Sequence, residues 1–247
     1  MFQKLKASLG IGAAKVDTVL ESSSVFQGEI IRGDIHILGG DVEQAIEAIS
    51  VKVCTEVKVE TDNGINYSDF VLDAVQVVDT FTIGVGENRK LRFEIKLNDE
   101  VPITVLRARK NQCRVWLETA LDIDFALDPK DRDYLEVKPL PVVADIIAMI
   151  EQSGFSLVKT DVEKGYLRGG SFSSRSGCYQ EIEFKGGSFL GAKEIELSFT
   201  LDAGTIHCLA EIDRKFGVRG DEYLSFSLGM NACEREIEFA VASTLSR

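Results

Sequence analysis

The chain has few of the residues on which acid–base catalysis usually depends. In 247 residues there are two histidines, His36 and His207. Each lies in an alternating run, out of phase with its apolar neighbours, and so reads as a solvent-facing or hydrogen-bonded strand residue. Neither neighbours a Gly-x-Ser-x-Gly nucleophile signature. Gly10-x-Gly12 lacks the preceding strand and following Lys-Ser/Thr that a phosphate-cradling loop requires. Nowhere does an apolar run approach about 20 residues, so no transmembrane helix is expected. The first residues, MFQKLKASLGIGAAK, lack the apolar core and cleavage site of a signal peptide. The five cysteines, Cys54, Cys113, Cys178, Cys208 and Cys233, are odd in number and form no Cys-x-x-Cys pair. Reduced thiols in a cytoplasmic protein are the expectation. Positive charge is also short, with 28 basic against 40 acidic residues and a net charge of −12. That balance excludes a general phosphate-binding surface, and with it nucleic acid as a partner.

What the chain does have is β-strand patterning. From Ile49 to Val59 every odd position is Ile, Val or Thr, and the even positions are Ser50, Lys52, Cys54, Glu56, Lys58 and Glu60. Successive strand side chains point to opposite faces, so one face is buried and the other wet. Upstream, Ile31, Ile35 and Ile37 share a face. Gly33 interrupts that strand and marks a bulge or a close backbone approach. Gly39-Gly40 makes a corner between the two strands. Further strands are predicted at Lys15–Leu20, Ser68–Phe81, Leu91–Leu97 and Cys113–Leu127, with Trp116 and Phe125 as large anchors. An Asn63-Gly64 turn and a loop at Gly84–Asn88 separate some of them. About seven strands in roughly 125 residues favour a sandwich over a parallel sheet.

Leu127-Asp128-Pro129-Lys130-Asp131-Arg132-Asp133 is charged and lacks apolar periodicity, so a linker is placed there. The expected division is a β-sandwich over 1–128, a linker over 129–141 and a second β-sandwich over 142–247. Pro141 and the spacing of Val143, Ile146, Ile147 and Ile150 predict a helix over 142–153, closed by Gly154. Alternation returns at Ile195–Leu201 and Ile206–Asp213, and strands are predicted at Tyr223–Leu228 and Glu234–Val241. Gly169-Gly170-Ser171-Phe172 recurs as Gly186-Gly187-Ser188-Phe189, two loops rather than a repeat array. Near the N-terminus, Phe2, Leu5, Leu9 and Ile11 fit a short amphipathic segment packed on the sandwich. One set of acids could serve a hard cation. Asp128, Asp131, Asp133 and Glu136 lie within nine residues and could supply calcium with carboxylate oxygens. Lys130 and Arg132 are the competing partners. Solvated linker and salt bridges are the alternative.

Several motifs together resemble the bacterial sporulation-control protein family, of stage-zero sporulation type and arrestin-like fold. They are the opening MFQKLKASLGIGAAKVDT, Gly28-Glu29 with Gly33, Gly39-Gly40 with Gln44, and Val115-Trp116. Further on come Leu127-Asp128-Pro129 with Asp131, Asp133 and Tyr134, then Gly154-Phe155, Gln180–Phe184 and Glu211–Arg214. They span nearly the whole chain. The family's turn usually reads Pro-Gly-Glu, and Gln27 stands here in place of the proline. The resemblance implies two tandem antiparallel β-sandwich lobes and a regulatory role with no catalytic motif and no cofactor. Two functions follow as expectations. One is an adaptor that binds other cytoplasmic proteins, of regulatory or cell-division type, by strand addition at its edges, with Thr61 and Gly84–Asn88 as contact regions. The other is a calcium or small-ligand carrier using the acidic linker and an inter-lobe groove. The exposed edges also permit a homodimer.

Overall fold

The computed structural model describes residues 12–61, 64–123, 128–170, 172–186, 193–214 and 222–246. The N-terminal amphipathic segment, Asn63, Phe125, Leu127 and most of the second Gly-Gly-Ser-Phe copy lie outside the described residues. The first strands are β1 (Lys15–Leu20), β2 (Ser24–Phe26), β3 (Ile30–Leu38), β4 (Gln44–Thr61), β5 (Gly64–Val78), β6 (Phe81–Ile83) and β7 (Asn88–Lys96). They are followed by β8 (Lys110–Asn111), β9 (Val115–Ile123), β10 (Lys130–Lys138) and helix α1 (Pro141–Gln152). The remainder comprises β11 (Ser156–Lys164), β12 (Arg168–Gly169), β13 (Phe172–Ser173), β14 (Cys178–Gly186), β15 (Lys193–Asp202), β16 (Thr205–Arg214), β17 (Glu222–Gly229) and helix α2 (Glu234–Leu245). The architecture is mainly β with predominantly antiparallel pairing, as the alternation predicts.

A three-stranded sheet in the order β1-β3-β7 faces a large sheet whose path runs β17-β16-β15-β14-β11-β4-β9-β10-β2. One apolar cluster lies between β3, β7, β4, β9 and β10. Ile31, Ile35, Ile37 and Phe93 meet Ile49, Val51, Val53, Leu117 and Leu121 there, all buried. The predicted inward phase of β4 is thus observed, and His36 is exposed on the opposite face of β3. A second cluster joins Ile182, Phe184, Ile195, Leu197, Ile206 and Cys208 of β14–β16 to Val143, Ile146 and Ile150 of α1 and to Ile237 and Val241 of α2. In this half it is helices, together with Ile103 and Leu106, that cover the inner face of the sheet. The ladder between the halves is short, β11 pairing with β4 at a single position, Glu163 opposite Lys58, but Val57 of β4 packs with Val162 of β11 and Cys178 of β14 in a third buried cluster. Gln180 adds a polar tie: its amide donates to the Ile103 carbonyl and the Thr160 hydroxyl, and its oxygen accepts from the Ile103 N–H, each at 2.8 Å.

Three local features explain departures from the sequence pattern. Gly33 is no bulge: its register with β1 and β7 is continuous. A Cβ there would sit 2.7 Å from the Val19 carbonyl oxygen and 2.8 Å from the Phe93 ring, so the close-approach alternative holds. The stretch 129–141 is mostly a strand rather than a linker. Leu135 and Val137 of β10 enter the first core, and the polar Asp131 and Asp133 share their phase, which hides the periodicity. Glu234–Val241 is a helix rather than a strand. Ile237, Ala240, Val241 and Thr244 are its buried residues, at helical spacing, and the Glu236 carboxylate accepts the Cys233 N–H at 2.8 Å to cap the first turn. Helix α1 ends as expected: the Gly154 and Phe155 N–H groups bond back to Glu151 and Ile150 and satisfy its last carbonyls.

The Gly28-Glu29 turn is also built as the sequence suggests. The Glu29 N–H donates to the Phe26 carbonyl at 3.2 Å, and Gly28 takes φ +71°, which an L side chain tolerates poorly. Gln27 compensates for the missing proline, since its amide donates to the Val101 carbonyl at 2.7 Å and pins the turn.

Candidate interaction surface

The four acids singled out for calcium do not converge. Asp128 is exposed and accepts the Ile123 N–H at 3.2 Å. Asp131 accepts the Thr18 N–H at 2.6 Å and ties β10 to β1. Asp133 lies beside it, with one carboxylate oxygen buried and lacking a hydrogen-bond donor. Burial, and then the neighbouring Asp131 charge, push its carboxyl up to about 6. Glu136 belongs to the exposed phase of the same strand and so points away from this pair. Arg132 pairs with Asp69 at 2.8 Å and lies 4.3 Å above the Trp116 ring; Lys130 pairs with Glu118 at 2.9 Å. The lysine and arginine of this stretch therefore serve β-sheet pairing.

Four of the five thiols are buried and held protonated, whereas Cys233 is exposed. Burial pushes the thiols of Cys54 and Cys178 up to about 11 and that of Cys113 up to about 12, and raises Cys208 well above its ordinary value. His207 bonds the Ser227 hydroxyl at 2.7 Å and stacks on Phe172 at 4.8 Å. A thiol that holds its proton is a poor nucleophile.

The outer face of β14–β16 is different in kind. Alternation puts the apolar residues inward, leaving Glu181 and Glu183 of β14, Glu194 and Glu196 of β15, and Glu211 of β16 on the outside. Glu183 faces Glu196, and Glu196 faces Glu211, directly across the ladders. Like charges at directly opposed positions are destabilising. The margin of this face carries lysines. Lys58 bonds Glu163 at 2.7 Å, Lys159 lies 2.7 Å from Asp161, and Lys185 lies 2.6 Å from Glu183 and 3.3 Å from Glu194. Two trios, Asp161 with Glu163 and Glu181, and Glu183 with Glu194 and Glu196, bring their oxygens within 4.8 Å of one another. The lysines already neutralise part of each. In the middle of the face, burial first and the surrounding carboxylates second raise Glu181 to about 8 and Glu196 to about 7.

A hairpin over 165–177, containing β12 and β13, lies across this acidic face. The Gly165 N–H bonds the Gly177 carbonyl, and the Leu167 N–H bonds the Ser174 hydroxyl at 2.8 Å. Between hairpin and sheet is a cavity of about 310 Å³ lined by Tyr166, Tyr179, Tyr223, Glu181, Glu196 and Glu211, with Arg168 and Ser198 also on its wall. Tyr223 donates its hydroxyl to Glu211 at 2.8 Å.

Strand β17 ends the large sheet, and among the described residues β16 is its one paired neighbour. Along its free side runs a groove of about 660 Å³ walled by Leu224, Phe226 and Leu228 on β17 and by Phe239, Ala240 and Ser243 on α2. Phe239 is 76% exposed, the most exposed large apolar side chain among the described residues. Sequence reasoning missed both features. It found β17 but read α2 as a strand, so it could not bring Phe239 beside β17. A polar groove of about 550 Å³ also separates the two halves, where Glu100 accepts the N–H groups of Arg175 and Ser176. The Gly84–Asn88 loop is closed on itself, with Glu87 accepting the Gly84 N–H at 2.8 Å.

The family model described as SpoOM protein matches residues 2–216. The sporulation-control protein spo0M of Bacillus subtilis (strain 168) is 34% identical over 223 residues, covering 89% of this chain and 83% of the relative. The crystal structure of Spo0M, sporulation control protein, from Bacillus subtilis superposes with a TM-score of 0.77 at 28% identity, covering 96% of this chain and 97% of the other.

Proposed function

The chain belongs to the SpoOM family of sporulation-control proteins, and on that footing we propose that it acts without catalysis, as a regulatory adaptor in the cytoplasm that binds other proteins. The mode is strand addition: an extended segment of a partner pairs with the free edge of β17 and buries alternate side chains in the Phe239 groove. One observation carries this, the coincidence of a strand that has one paired neighbour among the described residues with an apolar groove along it. Unpaired strand edges offer ready-made backbone donors and acceptors, and apolar pockets beside them give specificity. The four buried, protonated thiols support the absence of thiol chemistry in the core. Regulatory or division-machinery proteins are the proposed class of partner. In the same proposal the chain divides into two lobes, with the boundary at Pro139–Pro141, because Leu135 and Val137 belong to the first core.

Selection from a library of random ten-residue peptides tests the mode directly. Enriched sequences should alternate apolar residues and should lose binding to the Phe239→Glu variant. They should keep binding to Ile65→Glu, a control at an exposed position on β5. Peptides that bind both variants equally would remove the groove from the account.

A further inference from the structure

We infer that the tyrosine-walled cavity on the outer face of β14–β17 is a pocket for one cationic side chain, lysine or arginine, carried by a basic extended segment of a partner protein. This rests on the proposal that such a segment lies along β17, and it names that segment's chemistry. Strand geometry makes the connection. Inward side chains of an added strand enter the Phe239 groove, while outward ones emerge on the acidic face beside Tyr223, which lines the cavity and belongs to β17 itself. Glu211 is two strand spacings, about 10 Å, from the added strand, a span that a long cationic side chain and a glutamate bridge together. The segment that satisfies both surfaces alternates apolar and basic residues.

The lining selects a cation. Glu181, Glu196 and Glu211 face the cavity, and the rings of Tyr166, Tyr179 and Tyr223 form its walls. Aromatic faces attract ammonium and guanidinium groups, and more strongly where water is excluded. At about 310 Å³ the cavity is at the small end of ligand sites, fit for one side chain. Among the described residues no ion pair reaches these three acids: Lys58 is committed to Glu163, Lys159 to Asp161 and Lys185 to Glu183 and Glu194. Arg168, at the wall, forms no ion pair among the described residues. Glu181 and Glu196 hold protons up to about 8 and about 7. A cation entering the pocket favours their ionised forms, so binding releases protons and tightens as pH rises.

Calorimetry on the full chain tests this with three probes: a seven-residue peptide alternating valine and arginine, the same peptide with neutral citrulline in place of arginine, and spermidine. The arginine peptide should bind about tenfold or more tighter than its citrulline counterpart, tighter at pH 8 than at pH 6, and with proton release. The Glu211→Gln variant, which removes the acid within reach, should erase the arginine preference, and the Glu181→Gln/Glu196→Gln variant should erase the pH dependence; glutamine is close in shape, so the fold is retained. Equal binding of the two peptides, an undiminished arginine preference in Glu211→Gln, or equal affinity for spermidine would overturn the inference. The two proposals separate in Phe239→Ser, which adds no charge. Loss of both peptides there, with no arginine preference in the native chain, keeps the groove and removes the pocket. An arginine preference that persists in Phe239→Ser keeps the pocket and removes the groove.

Discussion

Strands β3 and β7 and strands β14–β16 follow one rule inward and opposite rules outward. Inward, both present unbroken apolar rows. Outward, on β3 and β7 each acid faces a base: Arg32 opposite Glu94, and Asp34 opposite Arg92. On β14–β16, acid faces acid, at Glu183–Glu196 and at Glu196–Glu211. Opposed charges on neighbouring strands stabilise a sheet by a few tenths of a kcal/mol, and like charges cost a similar amount. The first face is settled within the chain. The second carries the cost of opposed like charges, and it adjoins a strand with one paired neighbour among the described residues and an exposed phenylalanine.

The cores differ as well. The first is closed by sheet on sheet; the second leaves the sheet's inner face to α1 and α2. The groove at β17 lies where α2 meets that inner face.

The largest expected effect tests whether the two halves are independent. Phe184 is fully buried in the second core, and Phe184→Ala should cost about 3–5 kcal/mol. Trp116, the one tryptophan, lies buried on β9 in the first half. Its fluorescence transition should stay where it is while the far-ultraviolet transition moves down. If both move together, the two cores unfold as one unit.

Next comes the pH dependence of the acidic face. Glu181 and Glu196 are raised in the folded state, so between about pH 4.5 and 8 the folded chain binds more protons than the unfolded one. Stability therefore falls as pH rises through that window. In the Glu181→Gln/Glu196→Gln variant that decline should flatten. The variant should match the native chain near pH 5 and exceed it by roughly 2 kcal/mol at pH 8.5, after allowing for water at the cavity mouth. Urea titrations across pH 5–9 read this, and parallel curves for the two proteins would refute the charge assignment.

Much of the fold was legible because its long strands are clean. Odd-numbered Ile49–Val59 and the rows at Leu91–Leu97 and Ile195–Leu201 admit no helical reading. Helix α1 announced itself through Pro141 and a four-residue apolar stripe. Strand β10 did not, because its inward positions begin with Asp131 and Asp133, which look like a solvated linker until β1 is seen to cover them. Helix α2 was misread because Ile237, Phe239 and Val241 alternate with Glu236 and Glu238 like a strand. Only the buried Ala240 and Thr244 reveal the helical stripe, and small or polar residues carry little hydrophobic signal. The acidic face was visible one strand at a time as a wet side. That its acids oppose one another depends on strand register, which no single-strand pattern contains.

A smaller effect probes the first half. A Cβ at Gly33 would meet the Val19 backbone oxygen at 2.7 Å, which cannot swing aside as a side chain can. Gly33→Ala should cost about 1–2 kcal/mol by forcing β1 and the Phe93 ring apart. Addition of Phe93→Leu should recover part of that cost if the ring is the tighter obstacle, and none if the carbonyl is.

The smallest expected effect cuts closest to the comparison, since one chemical change should have opposite signs in the two regions. Glu94→Gln removes the partner of Arg32, which lies 3.3 Å from it, and should lower stability by a few tenths of a kcal/mol. Glu211→Gln removes a charge opposed to Glu196 while keeping an oxygen to accept the Tyr223 hydroxyl, and should raise stability by a similar amount. Both changes should shrink in 1 M salt, where screening acts over about 3 Å. Denaturation of the two variants at low and high salt decides the matter. Two losses would mean that Glu211 is held by a favourable contact and that the acidic face is as settled as the first. A loss and a gain that both fade with salt would establish that Glu94 is paired within the chain and that Glu211 opposes its neighbour.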